Sequence, residues 1–343
     1  MPIDVDSLVQ PLGEQSPCGD DLAETPEFAQ LAAGFRKHLA EELMIEGELK
    51  DDPPPSFENL LETTLDLLGR SRDLRLGAYA LWSCIQTDRL AGLREGLRLL
   101  RGLIDGLWSS GLYPLCEDAS DPWERTNVIG ELNAKAGKRG LFPVQDALRR
   151  VPMIESRQHG RWSLRQILLA RGELNPSEGE QVPELSKINQ TMGEQTPEDL
   201  QAWADLLGES IELTREIESG VSSGSAGSGS VALGDLRAQI EAMQGVISGE
   251  LASRGYGTDE ADAQAAVPGQ GGAGAISGEV ANRDQVRLAM DKILRYYEGN
   301  EPGSPVPMFV RAAQKLVTMS FFDIMAKVDQ STMARLKEIG DGD

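Results

Sequence analysis

The residues able to do chemistry are few and poorly spaced for it. Two histidines occur, His38 and His159, and neither stands in an H-x-x-x-H or H-x-x-E pair, so zinc-assisted hydrolysis lacks its ligand set. Gly220-Val221-Ser222-Ser223-Gly224 fits G-x-S-x-G, but a nucleophile elbow needs a buried strand before the serine and a helix after it, and the flanking residues encode neither. Gly272-Ala273-Gly274-Ala275-Ile276-Ser277-Gly278 has the glycines of a phosphate loop at the wrong spacing, and no G-x-x-x-x-G-K follows anywhere. The carboxylates Glu41, Glu42, Glu46, Glu48, Asp51 and Asp52 lack the alternating acids and central glycine of a calcium loop. They read better as a solvated acidic loop. A non-enzymatic role is therefore expected, with no catalytic residue, no metal and no cofactor.

Charge narrows the partners. The chain has 343 residues and a formal net charge of -22, which disfavours phosphate backbones because such binding needs clustered Lys and Arg. Nucleic acid is not expected. Within this acidic whole, residues 135–171 carry nine Lys or Arg against Asp146 and Glu155, whereas 172–220 carry twelve acids against Lys187 and Arg215. Two readings stand: a solvated helical surface, or a docking surface for a partner or neighbouring subunit. On the second, Arg149, Arg150, Arg157, Arg161 and Arg165 are the contact candidates. Cys18, Cys84 and Cys116 are far apart and odd in number, which fits a reducing compartment. The start Met-Pro-Ile-Asp-Val-Asp has no basic residue or apolar run, and no window approaches the roughly 18 uninterrupted apolar residues of a membrane span. A cytoplasmic location without membrane insertion is expected.

Helical periodicity dominates the elements that would position these residues, and the predicted fold class is mainly α. Thr25-Pro26-Glu27-Phe28 reads as a cap and acidic first turn, followed by Phe28, Leu31, Phe35 and Leu39 at helical spacing. Glu41 to Pro55 loses periodicity and reads as an exposed loop. From Ser56 to Trp108 three helices are predicted, with breaks at 69–73 and 87–88. In the last, Leu90, Leu93, Leu97, Leu100, Ile104 and Leu107 share one face, while Arg94, Arg98 and Arg101 lie on another. Short connections make this an antiparallel array. Residues 122–137 and 143–150 read as further helices; 151–170 holds a possible turn or hairpin before a helix capped by Ser163.

Five segments result. Residues 1–218 form an N-terminal helical domain. The run 219–232, rich in Ser and Gly, reads as a flexible linker. Residues 233–254 form one amphipathic helix whose stripe, Leu233, Leu236, Ile240, Met243 and Ile247, must bury against another domain or another copy. Residues 255–281, rich in Gly and Ala, read as a second linker. Residues 282–343 form a small helical oligomerisation domain, with Pro302, Pro305 and Pro307 setting a rigid turn between helices. A unit this small is marginal as a monomer, and self-association would bury the remainder of its apolar surface.

Two regions carry a family resemblance. Ser16-Pro17-Cys18-Gly19-Asp20-Asp21-Leu22, Asp73-Leu74-Arg75-Leu76, Gly92-Leu93 with Gly96-Leu97, Trp108, Pro114, Asp121-Pro122 and Arg125-Thr126-Asn127 resemble the ImpA N-terminal domain of the TssA proteins of bacterial type VI secretion. Asn282-Arg283-Asp284, Tyr296-Tyr297, Asn300-Glu301-Pro302, Ser304-Pro305-Val306-Pro307, 312–317 and Phe321-Phe322-Asp323-Ile324 are similar to the ring-forming C-terminal segment of shorter members. Phe57 stands where the family pattern has tryptophan. The resemblance implies a cytoplasmic scaffold that forms a ring, six- or fivefold in its symmetry, and contacts baseplate, tail tube, sheath and membrane-complex proteins. The contact candidates within that ring are Tyr297, Asn300, Glu301, Pro302, Ser304, Pro305, Val306, Pro307, Leu316, Phe321 and Phe322. Two roles stand for these motifs: Asn300, Glu301 and Pro302 end a helix, or the rigid Ser304 to Pro307 loop helps set the angle between subunits. Leu316, Phe321 and Phe322 are either core or oligomer contact. The competing reading is a helical adaptor that binds a partner peptide without forming a ring.

Overall fold

A computed structural model describes residues 3–42, 53–118, 121–134, 142–177, 179–256, 290, 293, 294, 297 and 305–317. The chain divides into two compact units, Met1–Ala263 and Gln264–Asp343.

The first unit is helical with one small hairpin. Its elements are α1 (Val5–Leu8), α2 (Pro26–Glu42), α3 (Phe57–Leu68), α4 (Leu74–Leu107), α5 (Trp123–Glu131), α6 (Val144–Arg150), β1 (Pro152–Ser156), β2 (Gly160–Ser163), α7 (Leu164–Ala170), α8 (Leu185–Gly193), α9 (Pro197–Gly224) and α10 (Gly234–Ser253). The caps follow the sequence. Thr25 Oγ1 accepts the Phe28 N–H at 3.4 Å, Ser56 caps α3, and Ser163 and Gln166 close a reciprocal capping box at α7. The hairpin pairs Ile154 with Trp162 and Glu155 with Arg161.

The α4 segment is two helices rather than one. Arg89 adopts φ 52° and ψ -123°, and the chain reverses there, so 74–88 packs antiparallel to 90–107. Small residues set the spacing of the pair: a Cβ on Gly92 would lie 1.9 Å from the Cys84 carbonyl oxygen, and one on Gly96 would lie 2.7 Å from Leu81 Cα. The three helices expected between Ser56 and Trp108 are present, and Leu90, Leu93, Leu97, Leu100, Ile104 and Leu107 are all buried. Around this pair stands an aromatic group in which Phe35 stacks on Tyr79 at 4.3 Å and lies 5.2 Å from Trp82; Phe57, in the tryptophan position of the family pattern, is 5.6 Å from Trp82. Burial pushes the Cys84 thiol up to about 12.

Two buried arginines tie the loops to this core with no acid partner among the described residues. Arg72 donates to the carbonyls of Gln10, Leu68 and Ser7, fixing the N-terminal segment. Arg125 donates to the carbonyls of Pro114 (3.0 Å) and Trp108 (2.6 Å), with its guanidinium over the Trp108 ring.

The linker expected at 219–232 is instead packed against the core through Val221, Ser225 and Gly229, and the first helical domain does not stop at 218. The α9 helix runs on to Gly224, Val221 is fully buried, and the Ser225 hydroxyl donates to Val221 O at 2.6 Å. The cause is steric. A Cβ on Gly224 would meet Trp108 Cγ at 2.6 Å, and one on Gly220 would meet Asp105 Oδ1 at 2.9 Å, so these glycines admit close packing rather than motion. The G-x-S-x-G run therefore lies in a helix. After a tight turn at Ala226 and Gly227 (φ 50° and 84°), α10 returns antiparallel along α9. Arg237 pairs with Glu218 at 2.8 Å, Gln244 donates to Ala204 O, and Arg254 donates to the carbonyls of Gln195 and Met192. Its apolar stripe is fully buried, and Gln239 reaches Gln145 O of α6. The 233–254 helix is thus an integral part of the first unit. The unit boundary falls inside 255–281, of which 257–281 lies outside the described residues.

In the second unit, α11 spans Val306–Val317. Val306 and Pro307 open this helix rather than forming the expected turn, since proline fits the first turn, where its missing N–H has no carbonyl to reach.

Candidate functional site

The candidate docking arginines occupy one side of the first unit. Arg149 and Arg150 close α6, Arg157 lies in the hairpin turn, Arg161 is on β2 and Arg165 is on α7. The structure brings Arg149, Arg150 and Arg165 to one cleft of about 610 Å³, which Asp146, Ser177 and Glu180 also line. Arg157 and Arg161 belong to the hairpin beside it.

Two of the five are already engaged within the chain. Arg165 Nε and Nη2 donate to the two Glu180 carboxylate oxygens at 2.8 and 2.5 Å, and the Ser177 N–H donates to the same carboxylate at 2.8 Å. These hydrogen bonds hold the Glu180 carboxyl down at about 2. Arg161 shares Glu155 with Arg89, at 3.2 and 2.9 Å, and the two arginines hold that carboxyl below its ordinary range, chiefly through the Arg89 hydrogen bond. Arg149, Arg150 and Arg157 form no ion pair among the described residues. The basic stretch and the acidic one after it therefore meet in part within a single chain: His159 also faces Glu194 at 3.3 Å.

A second surface escaped the sequence reading. Leu115 and Trp123 are 54% and 52% exposed, close to a buried framework: Arg125, two residues after Trp123, clamps the Pro114 carbonyl. Glu117 and Glu124 border it, joined by a 3.1 Å hydrogen bond from the Glu117 N–H. Trp123 opens α5, and only its omission from any apolar stripe signalled exposure.

Of the ring-contact candidates, Pro305 precedes α11, Val306 and Pro307 form its first turn, and Leu316 sits in its last. Tyr297 is half-buried. Asn300, Glu301, Pro302, Ser304, Phe321 and Phe322 lie outside the described residues. Met308 and Phe309 of α11 are 67% and 49% exposed. Of the acidic loop, 43–52 is outside the described residues, as is the glycine run 272–278. No group of three potential metal ligands occurs among the described residues, and none of their helices is long and apolar enough to cross a membrane.

Residues 9–134 match the family model described as ImpA, N-terminal, type VI secretion system. The chain is 31% identical over 340 residues to the type VI secretion system component TssA1 of Pseudomonas aeruginosa, with 94% of each chain covered. In fold it is similar, at a TM-score of 0.58 and 22% identity, to the N-terminal domain including the conserved ImpA_N region of the TssA component from Burkholderia cenocepacia, covering 75% of this chain and 97% of that one. Since the match to the Pseudomonas protein extends over nearly the whole of both chains, this chain belongs to the TssA family of type VI secretion system components.

Proposed function

We propose that this chain is a non-enzymatic, cytoplasmic scaffold of a type VI secretion system. Its second unit joins copies into a closed ring, and its first unit meets other components. The observation that carries the self-assembly is on α11: Met308 and Phe309 stand exposed in adjacent positions, in a unit of limited length, and a chain segment that short buries a smaller share of its apolar surface alone than a larger domain does. Association of identical copies would cover that face.

The partners in this reading are baseplate, tail tube, sheath and membrane-complex proteins, and nucleic acid is not among them, in keeping with the net charge of -22. Several weak contacts from arms tethered to one ring add up through effective concentration.

The test is the mass of the intact particle, by light scattering or native mass spectrometry. A discrete high-order species is expected at micromolar concentration, and Met308→Ser with Phe309→Ser should lower its mass. A full-length chain that stays monomeric would overturn the proposal.

A further inference from the structure

The cleft between α6 and α7 is built as a seat for a carboxylate, and the chain fills that seat itself. Arg165 presents its planar fork to Glu180, while the Ser177 N–H donates to the same carboxylate at 2.8 Å and the Ser177 hydroxyl oxygen accepts from Arg165 Nη2 at 3.1 Å. Bidentate guanidinium geometry of this kind selects planar anions. Arg149 and Arg150 line the same cleft with no acid partner among the described residues. Three cations thus face Asp146 and Glu180, and the cleft keeps an excess of positive charge in a protein of net charge -22.

The segment that carries Glu180 is weakly held. It connects α7 to α8, and none of its described residues between Arg171 and Glu184 is buried, Leu174 and Pro183 being only half-buried, so little apolar packing resists its displacement. Arg165 is its principal polar anchor.

We propose that this cleft is a docking site for an acidic peptide segment of a partner protein, with Glu180 as the resident competitor. A carboxylate of the partner takes the Arg165 fork as Glu180 leaves, and a neighbouring carboxylate meets Arg149 and Arg150. A phosphate group fits less well. Its additional charge would sit beside Asp146, while the Arg165 fork already matches a planar carboxylate. The inference concerns the first unit alone and holds whether or not the second unit assembles copies.

The probe is fluorescein-labelled hexaglutamate, titrated by anisotropy into the full-length protein at low ionic strength, where such contacts are least screened. Background attraction is small because the protein is acidic. Glu180→Gln should bind about tenfold tighter than the unaltered chain, since a tethered carboxylate competes at high effective concentration. Arg149→Ala with Arg150→Ala should abolish binding, and these positions leave the Arg165–Glu180 contact untouched, so they read the same cleft if the Gln variant fails to fold. Equal affinity across the three proteins, or no binding by either the unaltered chain or Glu180→Gln, would overturn the proposal. So would tripolyphosphate binding more tightly than the peptide.

Discussion

Replacing Gly92 by alanine probes the packing on which the first unit depends. The two halves of α4 meet where Gly92 faces the backbone of Cys84: an added Cβ would lie 1.9 Å from the carbonyl oxygen, 2.3 Å from the carbonyl carbon and 3.0 Å from the Ile85 nitrogen. Real contacts hold to more than 3.0 Å, so the helices must part by roughly 1 Å, in an interior packed as densely as an organic crystal. Because the obstacle is backbone, no change of rotamer relieves it. Overpacking of this kind costs about 1–3 kcal/mol, and the upper end applies here. Alanine returns about 1 kcal/mol through its greater helix propensity. The net loss is about 2 kcal/mol, which lowers Tm by about 4–8 °C in a domain of this size. Tryptophan fluorescence is the appropriate probe, since Trp82, Trp108, Trp123, Trp162 and Trp203 all belong to the first unit. The control is Gly245→Ala: that glycine is exposed within α10 and meets nothing within 4 Å, so the same substitution should stabilise by about 1 kcal/mol. An unchanged or raised Tm in Gly92→Ala would refute the close approach.

Three other outcomes are expected. Arg125→Ala leaves the carbonyls of Trp108 and Pro114 without their buried donor and should cost about 2–4 kcal/mol in urea unfolding followed by tryptophan fluorescence. Iodoacetamide at about pH 8 should label Cys116 in the native protein but spare Cys84, whose buried thiol forms little thiolate; mass spectrometry should find Cys84 modified after unfolding in guanidinium. For Glu218, burial opposes ionisation, but hydrogen bonds from Arg237 and the Leu233 N–H outweigh it and hold the carboxyl below its ordinary value. That stabilisation is present above the unfolded carboxyl's pKa and is lost as pH falls through the folded one. Arg237→Ala should therefore cost about 1 kcal/mol near neutrality, after solvent screening, and measurably less in denaturant unfolding near pH 3.

Periodic elements were legible in the sequence because their determinants are local. Thr25 and Pro26 begin α2, Ser163 and Gln166 begin α7, and the leucine stripe of 90–107 predicts its buried face. The failure at 219–232 has a physical cause. Glycine serves both freedom of the backbone and close approach of helices, and composition does not separate these uses. What distinguishes them at Gly220 and Gly224 is contact with Ile104, Asp105 and Trp108, more than a hundred residues earlier in the chain. The same residue type at Gly92 and Gly96 stood inside a clear leucine stripe and raised no doubt about the helix. The stripe of α10 showed the converse. Its need for a covering surface was readable, whereas the identity of that surface, α9 and α6 of the same unit, was not.

The charged side followed the same rule. Counting charges located a basic stretch and an acidic one, but the pairing of Arg165 with Glu180 spans a segment with no periodicity, so nothing local marked these two residues as partners. That pairing changes what the basic stretch can offer. A protein of this net charge that displayed five unpaired arginines would attract its own acidic neighbours, in the same chain or another copy, before any specific partner arrived. Holding Arg165 with Glu180, and Arg161 with Glu155, leaves Arg149, Arg150 and Arg157, on the docking proposed above, to steer an approaching anion. An acidic segment must then outcompete a tethered carboxylate to reach the fork itself, which favours segments carrying adjacent carboxylates over isolated ones.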